Sequence, residues 1–267
     1  IPLRLVGSEM CIRDSAQPEH RQDHGDGARR LNRAWRRPPA GAPPRPPAAP
    51  GAPPAQILLG DAWAVSGRFA PAATAYTRAA DLRFDEPVLL RLIEAWAQTG
   101  NRDSAANALA LYLAQNPSSV TARRLLANVQ LTAGDDRAAI ATLERLRGQV
   151  GDGDALVLTQ LAYAHTRAGD PRGALPYARA AYRMSPMSAG ATDAYGAALF
   201  TAGDTRGALQ LLTKAVKLAP SSADARWHFA QALADADRTN EARQAIGRAL
   251  TDPRFGERAA AKRLLAI

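Results

Sequence analysis

The chain has 267 residues, with 34 Lys and Arg against 25 Asp and Glu, a net charge of +9, and 46% hydrophobic residues. That length accommodates one or two domains. No uncharged apolar stretch approaches the ~18 residues a membrane helix needs, which predicts a soluble chain without a transmembrane segment. The positive charge invites a nucleic-acid reading, but nine Arg and five acidic residues fall within the first 55 residues, so the remainder is only mildly basic.

At the start of the chain, Glu9-Met10-Cys11-Ile12-Arg13-Asp14-Ser15 reads as a translation of the mosaic-end adapter used in transposon-based sequencing libraries. Residues 1–15 therefore resemble a processing scar and are kept out of the fold reasoning. Cys11 is the only cysteine, which leaves the rest of the chain without disulfide or thiol chemistry and the redox compartment undetermined. Residues 16–55 are rich in Arg, Pro, Ala and Gly and show no periodic apolar face. Pro43-Pro44-Arg45-Pro46-Pro47 has the form of a Pro-rich ligand, and Trp35, flanked by Arg, has the form of a stacking residue for nucleic acid. A disordered linker or an out-of-frame translation explains the same composition. Segment 1–55 is expected to be disordered or artefactual, and no signal-peptide pattern is read in it. Only Lys214, Lys217 and Lys262 among the basic residues are Lys. Abundant Arg, Ala, Gly and Pro is what GC-rich codons supply, which points to a bacterial source.

From Gln56 onward a pattern recurs. Gly67, Gly100, Gly134, Gly169, Gly203 and Asp237 stand 33, 34, 35, 34 and 34 residues apart. Eight residues before each anchor is a large apolar residue: Leu59, Leu92, Leu126, Leu161, Tyr195 and Phe229. The next position is small in five copies (Gly60, Ala127, Ala162, Gly196, Ala230) and Ile93 in the other. Five residues after each anchor stands alanine, at Ala72, Ala105, Ala139, Ala174, Ala208 and Ala242, where bulk would pry two crossing helices apart. Further apolar residues follow at helical spacing, such as Leu109 with Tyr112, Leu143 with Leu146 and Leu212 with Ala215. Glycine at the anchor suits a left-handed cap on a first helix, and Asp135, Asp170 and Asp204 are placed to cap the second. First helices are expected over about 56–66, 88–99, 120–133, 154–168, 188–202 and 222–236. Pro117, Pro186 and Pro220 end second helices. Pro71 and Pro171 fall in a first helical turn, where a missing N–H costs little, whereas Pro176 should bend its helix or shift its start. Gly148 to Asp154 forms an irregular junction that accounts for the 35-residue step. Phe255 to Ile267 reads as a last helix, with Phe255, Ala259, Leu264 and Leu265 covering the end of the array.

A period of 34 residues with small, aromatic and Pro positions in this order resembles the tetratricopeptide repeat family over roughly residues 53–252. The resemblance implies an all-α fold, a right-handed superhelical solenoid of antiparallel helix pairs. It divides the chain into a segment 1–55, six repeats over 56–252 and a C-terminal capping helix over 253–267.

Catalytic motifs do not emerge. Ser, His and Asp are not arranged around a nucleophile elbow, and no glycine run with Lys forms a phosphate loop. His165 and His228 lack the ligand spacing of a metal site. They read as structural or solvated, and Asp135-Asp136 and Asp152-Asp154 as helix caps or solvated turn charges. No catalytic, cofactor or metal site is expected. The resemblance implies instead a groove lined by the first helices that holds a peptide or helix of a partner. The residues expected to line it are Arg124, Asn128, Tyr163, Arg167, Phe200 and Trp227; packing between repeats is the competing role, above all for Phe200 and Trp227. Their positive charge favours an acidic partner segment. One subgroup of the family clamps a carboxylate terminus. Arg124 and Asn128 match its first two places, but Gln160, Gly190 and Ala194 replace the others, so that activity is not expected. The reading is a non-catalytic protein-interaction scaffold in a bacterial envelope, secretion or polysaccharide system. The alternatives are the regulatory portion of a truncated enzyme, which the reading frame upstream of Gln56 would reveal, and a helical-repeat nucleic-acid binder. The near balance of acids and bases on the first helices disfavours the latter.

Overall fold

A computed structural model describes residues 52–253 and 255–265. The adapter-like motif with Cys11, Trp35 and the Pro-rich run up to residue 51 lie outside the described residues. Thirteen helices follow one another among the described residues: α1 (Pro53–Val65), α2 (Phe69–Leu82), α3 (Glu86–Thr99), α4 (Arg102–Gln115), α5 (Val120–Ala133), α6 (Asp136–Val150), α7 (Ala155–Arg167), α8 (Pro171–Met184), α9 (Ala189–Thr201), α10 (Thr205–Leu218), α11 (Ala223–Asp235), α12 (Thr239–Ala249) and α13 (Arg258–Leu265). None is long and apolar enough to cross a membrane. Odd-numbered helices up to α11 are the first of each pair and even-numbered helices the second.

Local chemistry sets these boundaries. All six anchors have positive φ, the glycines from Gly169 at 70° to Gly203 at 85°, with Asp237 at 59° the one non-glycine so placed among the described residues. The left-handed residue turns the chain within two positions, so each second helix starts almost at once beside the first. Gly151, also at positive φ, sits in the irregular junction and caps α6. At the opposite end of the helices, Asp154 accepts from the Leu156 and Val157 amides, and Ser188 and Ser222 cap α9 and α11 in the same way. Asp170 and Asp204 cap α8 and α10. Asp135 does not cap α6 with its side chain, contrary to expectation; its neighbour Asp136 pairs with Arg167 instead. Pro176 is tolerated inside α8, whose start at Pro171 is not shifted. Its position is exposed, so the carbonyl of Arg172 that loses a partner faces water.

Packing within each pair follows one rule. The small position before the anchor meets a residue sixteen further on: Gly60 meets Tyr76, Gly196 meets Leu212, Ala127 clusters with Leu143, Ala162 with Ala178, Ala230 with Ile246. Glycine stands where Tyr76 or Leu212 approaches too closely for a Cβ, and alanine is accommodated against Leu143, Ala178 and Ile246. The six alanines five residues past the anchor are all buried. Leu59 differs from its counterparts Leu92 and Leu161 in being 43% exposed, since no described helix precedes α1 to cover it.

Neighbouring first helices also touch, α7 with α9 and α9 with α11. From α7 to α11 the array therefore curves with its first helices on the inside. At the C-terminal end Phe255 and Ala261 are buried with Trp227 and Ile246, while Leu264 and Leu265 pack partly against them. Ala259 is exposed, contrary to expectation. The helix begins at Arg258 and presents Ala260 and Ala261 in its place.

Candidate functional site

The inner face is built by α5, α7, α9 and α11, whose side chains four residues apart form ridges along the groove. On α5, Arg124, Asn128 and Thr132 make such a ridge. Arg124 reaches across to α7 and donates to Asp154 at 2.8 Å, keeping 32% of its side chain exposed. Burial pushes the Asp154 carboxyl up, but the bonds from Arg124 and from the amides of Val157 and Leu156 outweigh it, and the group is held below its ordinary range. Asn128 is half-buried, and its side-chain amide has no hydrogen-bond partner among the described residues. Thr132 turns its hydroxyl back onto the Asn128 and Val129 carbonyls.

Arg167 leaves the C-terminal end of α7 in the other direction. It donates to the Leu131 carbonyl at 2.9 Å and approaches Asp136 at 3.0 Å, with 42% of its side chain exposed. The first bond satisfies one of the last carbonyls of α5 and places a cation at that helix's negative end. Arg124 and Arg167 therefore each tie one repeat to its neighbour.

Further along, Tyr163 donates to Asp193 at 2.6 Å and approaches the Gly190 carbonyl at 3.2 Å. Burial, reinforced by the Asp193 charge, raises the phenol well above its ordinary value, so it stays a neutral donor. Asp193 is 2% exposed. It also faces the Nδ1 of His228 on α11, at 2.9 and 3.0 Å to its two oxygens. Three repeats thus meet at one buried carboxylate. Phe200, half-buried, packs with Leu209 and Phe229 against Ala208, Leu212 and Ala232.

The groove expectation therefore divides. Arg124, Asn128, Tyr163 and Arg167 lie on adjacent ridges of α5 and α7, whereas Phe200 on α9 packs toward α10 and α11. Trp227 does not join them and is corrected to a core residue. It is 7% exposed, with its ring 6.4 Å from that of Phe255 in an edge-to-face arrangement, because the chain after α12 folds back over it. Asp154 caps α7 as expected, but sequence reasoning does not place it or His228 on the inner face. A carboxylate 30 residues after an Arg or Tyr on the preceding first helix was the available signal: Arg124 with Asp154 and Tyr163 with Asp193 share it.

Models of the tetratricopeptide repeat match residues 97–161 and 199–266, and a second model of the same description matches 159–223. Among solved structures, a tetratricopeptide repeat protein from Parabacteroides merdae ATCC 43184 is 15% identical, with 82% of this chain matched to 85% of that one at a TM-score of 0.65. The MamA protein is 20% identical over 62% of this chain and 91% of its own, at 0.54. The Cut9–Hcn1 hetero-tetramer of APC/C is 15% identical over 81% of this chain and 43% of the other, at 0.60. Such likenesses show the fold. No curated protein sequence matches the chain.

Proposed function

The chain belongs to the tetratricopeptide repeat family, and from that premise we propose that it is a non-catalytic scaffold holding an extended or helical segment of a partner protein in its concave groove. The observation that carries this reading is the ridge on α5 and α7 where Asn128 keeps an unengaged amide between the partly exposed Arg124 and Thr132. A side-chain amide with unused donors and acceptor beside a cation is suited to the main chain and acidic side chains of a bound segment.

An acidic segment fits the two arginines even though each already has a carboxylate neighbour. Partly exposed ion pairs contribute about 0–1 kcal/mol, so sharing the Arg124 guanidinium with a partner carboxylate costs little, and Asp154 keeps its capping bonds to α7. One short segment bound this way would have an affinity on the order of micromolar, about 8 kcal/mol. The composition underlies the proposed setting, a bacterial envelope, secretion or polysaccharide system.

Asn128→Trp, which fills the groove, should abolish partner capture while the circular dichroism spectrum stays helical. Arg124→Gln should weaken an acidic partner by up to about fivefold and reduce the salt dependence of binding. Capture of the same partner at the same yield by folded Asn128→Trp would place the binding surface elsewhere.

A further inference from the structure

The carboxylate of Asp193 is the most deeply buried charge on the inner face, and its partners come from three different repeats. Tyr163 on α7 donates to one oxygen at 2.6 Å. His228 on α11 faces both oxygens at 2.9 and 3.0 Å, and its ring stacks on that of Tyr163 with centroids 6.1 Å apart. A tyrosine donor is permanent below pH 10, whereas a histidine donor carries a charge only when protonated. The strength of this junction is thus set by one proton.

We propose that Asp193 and His228, tied to Tyr163, form a proton-operated clasp across the fourth, fifth and sixth repeats. A charged His228 holds the sixth repeat on the fifth, and its deprotonation lets the sixth repeat open.

The groups facing His228 all favour the charged ring. Asp193 faces it from α9, Asp224 stands one helical turn away on α11, and Glu257 lies in the turn before α13. Tyr163 on α7 contributes a ring face and no charge. Burial of the imidazole pulls its proton affinity down, but the charge and hydrogen bond of Asp193, then Asp224 and Glu257, pull it up further. The net direction is above the ordinary value of 6.5. Asp224 itself is raised by desolvation, opposed by His228 and aided by repulsion from Asp193, Asp252 and Glu257. Asp193, Asp224 and Glu257 therefore all act on the same imidazole. When the charge on that ring is lost, the bond to Asp193 keeps one charged partner instead of two and loses the attraction between opposite charges. The acids are left to repel one another.

A histidine whose folded pKa exceeds its unfolded one contributes stability that is complete below the unfolded value and disappears as pH rises through the folded one. The clasp is therefore closed below about pH 6.5 and opens above the raised midpoint. In a repeat array this loss is local, because each repeat is held chiefly by its neighbours and end repeats open independently of the middle.

The test uses the full chain. NMR of the imidazole C–H signals, assigned with His228→Gln, should give a His228 midpoint above 6.5. Amide exchange corrected for intrinsic rates should show protection of α11 and α12 falling by up to about tenfold per pH unit between 6.5 and that midpoint, with α5 and α6 unaffected. His228→Gln should lose this dependence. Asp224→Asn should keep it while lowering the His228 midpoint. A wild-type midpoint at or below 6.5 overturns the proposal whether or not the variants fold. So does a pH dependence that survives in His228→Gln, or one that disappears in Asp224→Asn.

Discussion

Gly196→Ala adds one methyl group to the middle of α9, and its effect follows from what that methyl would meet. A Cβ at this position would lie 2.6 Å from Leu212 Cγ, 2.8 Å from its Cδ2 and 3.3 Å from its backbone nitrogen. Leu212 is fully buried and cannot swing aside, and the backbone contact means that α10 must move. Such overpacking costs about 1–3 kcal/mol. Alanine returns about 1 kcal/mol through its better helix propensity, so the net loss is roughly 0–2 kcal/mol. Gly148, inside α6, is the control, since a Cβ there meets nothing within 4 Å. Gly148→Ala should stabilise by about 0.4–1 kcal/mol. The variants are thus separated by about 0.4–3 kcal/mol, and at roughly 2–4 °C per kcal/mol in a domain of this size their thermal midpoints should differ by about 1–12 °C. Circular dichroism at 222 nm, with urea midpoints as a second measure, reads this. If Gly196→Ala raises the midpoint as much as Gly148→Ala does, the close approach of α9 and α10 is refuted.

Three further outcomes are expected. Ala208→Leu, at a fully buried crossing, should cost about 1–3 kcal/mol in urea unfolding, whereas Gln210→Leu on the exposed side of α10 should cost almost nothing; equal losses would refute the register. Asp237→Gly relieves the one non-glycine at positive φ among the described residues. It should stabilise by roughly 0.5–1 kcal/mol, the left-handed penalty of about 1–2 kcal/mol less the extra freedom of the unfolded chain; a loss in the thermal midpoint would contradict this. Asp154, held below its ordinary 3.8, contributes stability that is present above about pH 4 and lost as pH falls through its lowered midpoint. Asp154→Asn should therefore flatten the acid limb of a plot of urea midpoint against pH, and an unchanged limb would exclude the Arg124 pair as its source.

Most of the architecture is legible because it depends on spacing. Each anchor that reads as a left-handed cap has positive φ, including Asp237, and the alanines five residues on are all buried. The expected first-helix spans differ from α1, α3, α5, α7, α9 and α11 by at most three residues at either end. These features come from backbone geometry that any copy of the repeat must satisfy. The inner face is less legible, because its side chains answer to neighbours about 30 residues away and not to their own helix. Arg124 and Arg167 read as free cations until Asp154 and Asp136 are seen beside them. His228 reads as an isolated histidine until the curvature brings Asp193 against it. Trp227 has the position of a groove residue, and only the return of the chain at Phe255 makes it core.

The central claim, that the ridge on α5 and α7 holds a partner segment, is tested most directly by site-specific photo-crosslinking in cells of the source organism. A photoreactive residue is placed at Asn128 in one version of the protein and at Arg145, exposed on the second helix α6, in another. The account predicts one discrete crosslinked partner from position 128 and none of it from position 145, with the 128 product reduced by Arg124→Gln. The same product from position 145, or none from 128 in folded protein, would contradict it.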